Sequence, residues 1–214
     1  MKQFSSFASL VCLAIVWGLV TVQTIIGAEV DVYLLGGQSN MNGSAQVAEF
    51  PDDIPRAVPN AWFHFGSTWV ALDYNKTRTS KSKGRFGPEL GLALELATTD
   101  RPAYIAKYAA SGMGLHQGWH GGRWDGGKPI PQRRNFYPGE TAGDSNQGQL
   151  YRGMVRKFQN AIETLKQQGH KPVVRGFVWM QGEQDSKHKL SAASYAESLN
   201  RLHRRLAEDL GIKG

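Results

Sequence analysis

The sequence predicts an α/β fold built on a mainly parallel sheet. Three short apolar runs, at residues 30–35, 103–109 and 173–180, have the length and composition of buried strands. A helical pattern follows each run, so strands and helices alternate along the chain. Such alternation is typical of βαβ units, in which right-handed crossovers join parallel strands. A length of 214 residues fits one domain with a substantial core.

The three helices are predicted from apolar spacing and from residues that suit helix ends. In the first helix, at 88–97, Pro88 fits the first turn and Glu89 suits the positive N-terminal end. The second is expected to stop at Gly169, and the third to begin with Ser191 as its N-cap. The apolar stripes that predict these two helices are Leu150, Met154, Phe158, Ile162 and Leu165, and Tyr195, Leu199, Leu202, Leu206 and Leu210.

Two long segments, 42–85 and 115–144, show no sustained period and are predicted to be irregular. The aromatic side chains of the first are expected to pack beneath it. Two interpretations are open for those of the second: they line a sugar-binding cleft with His120 and Arg123, or they form a cluster within the loop. The aromatic residues are Trp62, Phe63, Phe65 and Trp69 in the first segment, and Trp119, Trp124, Phe136 and Tyr137 in the second.

Residues 1–28 have the pattern of a signal peptide. Lys2 precedes an almost uncharged apolar run, which ends in the small residues Gly27 and Ala28. We therefore predict export to the periplasm or the extracellular space, cleavage after Ala28, and a mature domain of residues 29–214 without stable membrane association. The alternative is an uncleaved anchor, because the run is long enough to span a bilayer.

Composition excludes several classes of site. The single cysteine, Cys12, lies in the predicted signal peptide, so residues 29–214 hold no disulfide, thiol nucleophile or Cys-ligated zinc. His116 and His120 have the spacing of a helical zinc site, but the glycines around them disfavour a helix, and no metal or cofactor is predicted. The net charge is +7, yet the basic residues are spread out rather than forming the stripe of a nucleic-acid-binding surface. No nucleic-acid partner is predicted; a basic protein that binds anionic surfaces is a further alternative.

Polar loops follow the three predicted strands directly, at 36–41, 110–114 and 181–185. Ligands bind beyond the carboxyl ends of the strands in an open parallel sheet, so we expect these loops to converge. Ser39 is the only hydroxyl residue of the first loop, and the glycines before it allow a sharp turn. A serine here is either a nucleophile beside oxyanion-binding N–H groups or a helix cap.

Three motifs occur in this order: Gly-Gln-Ser-Asn-Met at 37–41, Phe-Gly-Pro-Glu at 86–89 and Trp-Met-Gln-Gly-Glu-Gln-Asp at 179–185. Together with residues 107–115 they resemble the sialate O-acetylesterase-like carbohydrate esterases of the SGNH hydrolase superfamily. The resemblance extends over almost the whole mature chain. It implies a flavodoxin-like three-layer α/β/α sandwich that removes O-acetyl groups from carbohydrates without a cofactor.

The resemblance also implies roles for individual residues. Ser39 corresponds to the nucleophile. The N–H groups of Ser39 and Gly112 and the side-chain amide of Gln181 correspond to the oxyanion hole, where one lost donor typically costs about 100- to 1000-fold in rate. Gly87 is the second choice for the glycine donor, and Glu183 and Asp185 are interpreted as acceptors that organise loops. The residues expected to support the site are Gly37, Gln38, Asn40, Gly87, Glu183 and Asp185.

The family's activating histidine belongs to an Asp-x-x-His motif near the C-terminus, and none follows the last predicted helix here. We therefore expect a C-terminally incomplete domain: a truncated esterase or, as the alternative, a non-catalytic carbohydrate-binding relic. A local match, Asp185 to His188, makes His188 a weaker candidate base. We interpret it as a chance match in a solvated loop, because a triad is defined by geometry rather than spelling.

Overall fold

Residues 27–212 are described by the computed structural model, which contains a five-stranded sheet and two short two-stranded sheets. The prediction of a signal peptide therefore lies outside the described residues, apart from Gly27 and Ala28. Among residues 27–212, no helix combines the length and the apolar character needed to cross a membrane. The strands are Glu29–Gly37 (β1), Ala45–Gln46 (β2), Ala57–Phe65 (β3), Thr68–Asp73 (β4), Arg85–Phe86 (β5), Ala103–Ala109 (β6), Trp119–His120 (β7), Arg123–Trp124 (β8) and Lys171–Met180 (β9).

Five α-helices and two 3-10 turns connect these strands. The helices are Ser39–Asn42 (α1), Glu89–Leu96 (α2), Gln149–Gln167 (α3), Lys189–Ala193 (α4) and Tyr195–Leu210 (α5); the 3-10 turns are Val47–Glu49 and Asp185–Lys187. The chain leaves α3 two residues before Gly169, which has a φ of 84° and so accepts the left-handed backbone of a helix stop. The predicted strands and long helices are therefore confirmed with small shifts of their ends.

The main sheet has the spatial order β4-β3-β6-β1-β9. Its inner pairs, β1 with β6, β1 with β9 and β3 with β6, are parallel, and only β4 joins by antiparallel pairing with β3. The predicted α/β class with a mainly parallel sheet is confirmed. Strand β1 lies inside the sheet with neighbours on both sides, which agrees with its almost continuous apolar character.

Helices cover both faces of the sheet and give it three layers. On one face, Val32 and Leu34 pack with the apolar stripes of α3 and α5. On the other, Leu35 and Ile105 pack against α2 through Leu90 and Ala93. Burial of one large apolar side chain stabilises the folded state by about 1.5–3 kcal/mol relative to exposure. The two clusters together therefore stabilise the packing of the helices on the sheet.

The prediction that residues 42–85 are irregular is wrong for β3 and β4. Pro59 lacks an N–H, Asn60 has a φ of 56°, and the pairing register shifts between Ala57 and Trp62. These features form a bulge that breaks the alternation by which a strand is recognised. Beyond the bulge, β3 is buried against β6 and turns through Gly66 into β4.

The prediction of Ser191 as the N-cap of the last helix is also wrong. Ser191 lies within α4, and α5 begins at Tyr195 with Ser194 before it. The Ser191 hydroxyl instead donates a hydrogen bond to the buried carboxylate of Asp185. Because the Ser191 hydroxyl makes this tertiary hydrogen bond, it does not cap a helix.

Candidate active site

The three polar loops begin at one edge of the sheet. In the pairing register, Gly37 lies opposite Ala109 of β6 and Met180 of β9. Two hydrogen bonds extend this pairing into the loops: Gln38 N–H donates to Met180 O and Ala110 N–H donates to Gly37 O, both at 3.0 Å. The register therefore places the segments that contain Ser39, Gly112 and Gln181 side by side.

Ser39 is the first residue of the one-turn helix α1 and is exposed. Neither its hydroxyl nor its backbone N–H makes a hydrogen bond among the described residues. The turn before it requires glycine, because Gly37 has a φ of 151° and a Cβ there would lie 2.1 Å from Met180 O. The buried neighbour Gln38 holds the turn in place through its backbone hydrogen bond to Met180. The exposed Ser39 hydroxyl therefore lies on a turn that is fixed to β9.

Asn40 joins the first loop to the third. Its side-chain amide donates to Oε1 of Glu183, and both residues are exposed. The contact fixes the orientation of α1 relative to the end of β9. It also leaves the second carboxylate oxygen of Glu183 open to solvent or substrate.

The two glycines considered as oxyanion donors differ in availability. Gly112 has a φ of 69°, and its N–H has no acceptor among the described residues. The Gly87 N–H donates to Oε1 of Glu89 at 3.0 Å. Gly112 therefore offers a free donor in the loop beside Ser39, whereas the donor of Gly87 is already used.

The side chain of Gln181 is held by three contacts. Its amide nitrogen donates to Met113 O at 3.1 Å and to Oδ2 of Asp185, and its Oε1 accepts from the Tyr195 hydroxyl at 3.1 Å. Both amide hydrogens are therefore engaged within the protein. An oxyanion role for Gln181 stays a prediction and requires one of these bonds to be exchanged for the substrate.

Asp185 ties the loops after β6 and β9 together. Its side chain is buried, and its two oxygens accept hydrogen bonds from the backbone N–H groups of Leu115 (2.8 Å) and His116 (2.9 Å). The side chains of Gln181 and Ser191 supply two further donors. Four neutral donors thus compensate one buried carboxylate, which fixes the path of both loops.

No hydrogen bond joins the ring of either nearby histidine, His116 or His188, to the Asp185 carboxylate. The His188 ring stacks on Trp124 with centroids 3.6 Å apart, and its Nδ1 is buried without a hydrogen-bond partner among the described residues. His116 accepts from Gly118 N–H through Nδ1 at 2.9 Å. Burial lowers the pKa of His116, although the nearby Asp185 carboxylate opposes this shift, so the neutral ring is favoured at neutral pH. His188 as a base stays a prediction.

Sequence analysis missed a buried ion pair behind α1. Lys107 of β6 and Glu89 of α2 lie 2.6 Å apart, with side chains 4% and 0% exposed. Lys107 also donates to the backbone O of Asn42, the last residue of α1, at 3.1 Å. Burial lowers the pKa of Lys107, and Glu89 opposes this shift. A lysine inside an otherwise apolar strand is the sequence signal that points to such a pair.

The aromatic side chains of the second irregular segment do not form a single cluster within the loop, because Trp119 packs against Trp124 whereas Phe136 packs against Tyr108 of β6 and Trp179 of β9. Trp119, Phe136 and Tyr137 are buried, and only Trp124 of the four is half-buried. The interpretation of this set as a sugar-binding cleft is therefore wrong for three of the four. Among residues 27–212, no group of three or more His, Cys, Asp or Glu side chains is placed to hold a metal ion.

Comparisons with known proteins agree with this architecture. The model of the family described as "carbohydrate esterase, sialic acid-specific acetylesterase" matches residues 29–214. A protein of Arabidopsis thaliana superposes with a TM-score of 0.59 and 16% identity, over 85% of this chain and 69% of that one. No curated protein sequence gives a significant match.

Two further solved structures share the fold. A carbohydrate acetylesterase from Xanthomonas citri has a TM-score of 0.50 and 20% identity, with 86% of this chain and 39% of that chain covered. NanS has a TM-score of 0.53 and 18% identity, with 87% and 64% covered. This chain thus spans less than two thirds of the length of either protein.

Proposed function

Because this chain belongs to the sialic acid-specific acetylesterase family of carbohydrate esterases, we propose that it hydrolyses O-acetyl esters of carbohydrates through an acyl-enzyme on Ser39. The observation that carries the proposal is the exposed, unbonded hydroxyl of Ser39 on a rigid turn where β1, β6 and β9 end. In open parallel sheets, ligands bind beyond the carboxyl ends of the strands, which is where Ser39 lies.

In the proposed reaction the Ser39 oxygen attacks the acetyl carbonyl carbon, and the carbonyl oxygen becomes an oxyanion. The free N–H groups of Ser39 and Gly112 then donate to this oxygen. The sugar oxygen leaves with a proton, and water cleaves the acetyl-serine ester to release acetate and restore the hydroxyl. No base is assigned to the first proton transfer, because no histidine among residues 27–212 hydrogen-bonds the Ser39 hydroxyl.

The neighbours of Ser39 have supporting roles in this proposal. Asn40 and Glu183 hold α1 against the end of β9, and Gln181 joins the oxyanion hole if substrate replaces its bond to Met113 or Asp185. Glu183 also presents an exposed oxygen that suits a sugar hydroxyl. Asp185 acts only as a loop organiser, since all its contacts are internal.

The test is acetate release by the full chain from an aryl acetate and from an acetylated polysaccharide. Ser39→Ala should lower the rate at least about 1000-fold, because it removes the nucleophile. Ser44→Ala, a matched change at an exposed serine outside the turn, should leave the rate unchanged. His188→Ala should also retain activity.

The same assay separates the alternatives. Loss of activity in His188→Ala would identify His188 as the base. Equal rates for Ser39→Ala and the unaltered chain would refute a Ser39 acyl-enzyme. If the chain binds carbohydrate without releasing acetate above the Ser39→Ala background, the non-catalytic carbohydrate-binding function replaces the esterase.

We also propose that the protein is exported and that residues 1–28 are removed. The charge and apolar pattern of this segment supports the proposal. The mass of the protein recovered from an exporting host should correspond to residues 29–214; a mass that includes residues 1–28 would favour the anchor.

A further inference from the structure

A cavity of about 450 Å³ opens beside the candidate active site, at the carboxyl ends of β3 and β6. Asn42, the last residue of α1, lines one side of it, and Ser111, the residue before Gly112, lines another. The cavity therefore shares its border with the segments that carry Ser39 and the free donor of Gly112. Its volume lies in the range of pockets that hold small organic ligands, about 300–1000 Å³, and is enough for a sugar unit.

The cavity wall is cationic. Its lining includes no aspartate or glutamate, and Lys107 is the only lining cation that forms an ion pair among the described residues. Arg78, Lys81 and Arg134 are exposed, so their charged groups can turn toward a ligand at little cost. The cationic lining residues are Arg78, Lys81, Lys107, Arg134 and Lys157.

One buried residue of the wall also lacks hydrogen-bond partners. His64 is 1% exposed, lines the cavity, and neither of its ring nitrogens has a hydrogen-bond partner among the described residues. Lys157 donates to the backbone O atoms of His64 and Gly66 at 2.9 and 3.2 Å, which fixes its ammonium group at the wall. Burial, with a smaller contribution from Lys157, lowers the pKa of His64 to about 4, so the charge of the cavity at neutral pH comes from lysine and arginine.

Unpaired cations around a concave surface concentrate anionic ligands, because low-dielectric walls focus the field. Guanidinium groups such as those of Arg78 and Arg134 bind carboxylate and sulfate oxygens through two parallel N–H bonds. A neutral sugar would leave these charges without compensation. The chemistry of the wall therefore favours a carbohydrate that carries negative charge near its ester.

We propose that this cavity binds an anionic group, a sulfate ester or a carboxylate, on the sugar unit adjoining the one whose acetyl group meets Ser39. The inference rests on the proposed function for the position of the acetyl group. It makes the preferred substrate an acetylated polyanionic carbohydrate. The anion itself is recognised by Lys81, Arg134 and Arg78, independently of the acyl-transfer step.

The test is a calorimetric titration of the full chain at low ionic strength. The probes are a sulfated galactan tetrasaccharide, a tetragalacturonate and the matching unsulfated galactan tetrasaccharide. In the double variant Lys81→Gln/Arg134→Gln, the affinity for the anionic probes should fall about tenfold, since two exposed charge contacts are lost. Both side chains are exposed, so the substitutions leave the fold intact. The tighter of the two anionic probes identifies sulfate or carboxylate as the group bound.

A matched control removes the same charge elsewhere. Lys128→Gln/Lys171→Gln changes two exposed lysines that do not line the cavity, and β9 begins at Lys171 on the opposite edge of the sheet. Its affinity should stay within about twofold of the unaltered chain. An equal loss in both double variants would mean that only the net charge attracts the probe, and would overturn the site.

Three other results would also overturn the proposal: no binding of either anionic probe, equally tight binding of the unsulfated probe, or an unchanged affinity in Lys81→Gln/Arg134→Gln. Titration of Ser39→Ala separates this inference from the esterase proposal. Anion binding that survives in Ser39→Ala, beside a chain that releases no acetate, would refute the esterase alone.

Discussion

The loops on the two sides of Ser39 hold their buried acids in different ways. On the loop side, which comprises the segments after β6 and β9, Asp185 is compensated by four neutral hydrogen-bond donors. On the hairpin side, which runs from β3 to α2, Glu89 is compensated by the cation Lys107 and the Gly87 N–H. One acid thus relies on many neutral partners and the other on a single charge.

The two acids also differ in what surrounds them. Both oxygens of Asp185 are occupied by its four donors, which join the loops after β6 and β9. The hairpin side contributes Arg78, Lys81 and His64 to the cationic cavity, and the ring nitrogens of His64 have no partner among the described residues. Buried side-chain nitrogens without a partner also occur on the loop side, at His188 and Arg133. What distinguishes the two sides is therefore how each buried acid is compensated.

The largest effect on stability is expected at the ion pair. Lys107→Met should lower the free energy of unfolding by about 3–5 kcal/mol, because it leaves the Glu89 carboxylate buried without a cation. It also removes the hydrogen bond to Asn42 O that holds the end of α1. Urea denaturation of the full chain at neutral pH measures this change.

The control for this prediction replaces both partners. Lys107→Met/Glu89→Met removes the buried charge altogether, so it should recover most of the lost stability. A double variant as unstable as Lys107→Met would show that packing, rather than the unpaired charge, causes the loss.

A smaller effect is expected at Asp185, where the partners are neutral. Asp185→Asn keeps the size of the side chain but replaces one acceptor oxygen by a donor, which then faces the Leu115 or His116 N–H. The free energy of unfolding should fall by about 2–3 kcal/mol. Ser191→Ala, which removes one of the four donors, should cost less, about 1 kcal/mol. If Asp185→Asn were more destabilising than Lys107→Met, the comparison of the two sides would be reversed.

The sequence predicted the loop side better than the hairpin side. Strands β1, β6 and β9 are apolar runs that end in polar loops, so the position of Ser39 and the convergence of its neighbouring loops followed from local pattern. Strands β3 and β4 did not, because Pro59 and Asn60 interrupt the alternation and β4 is a half-exposed edge strand. The pattern of apolar residues predicts a strand only where that pattern is not interrupted.

The partners of the buried polar groups could not be predicted from the sequence. The Leu115 and His116 N–H groups that donate to Asp185 lie about 70 residues away in the chain. Lys107 pairs with Glu89 only because α2 packs against β6 in the folded protein. The donor state of Gly112 and Gly87 likewise depends on tertiary hydrogen bonds. The sequence motifs identified both glycines, but only the structure shows that the Gly112 N–H is free and the Gly87 N–H is bonded.

A pH dependence of stability is also expected on the hairpin side. The unfolded chain protonates His64 near pH 6.5, whereas burial lowers its pKa in the folded state to about 4. Between these values the unfolded state binds more protons, so the folded state loses stability as the pH falls. The loss between pH 7 and pH 4.5 should be about 2–2.5 kcal/mol. His64→Leu removes this titration, so its urea midpoint should decline less over the same range, whatever its stability at pH 7. Parallel declines in the two proteins would show that His64 does not titrate differently on folding.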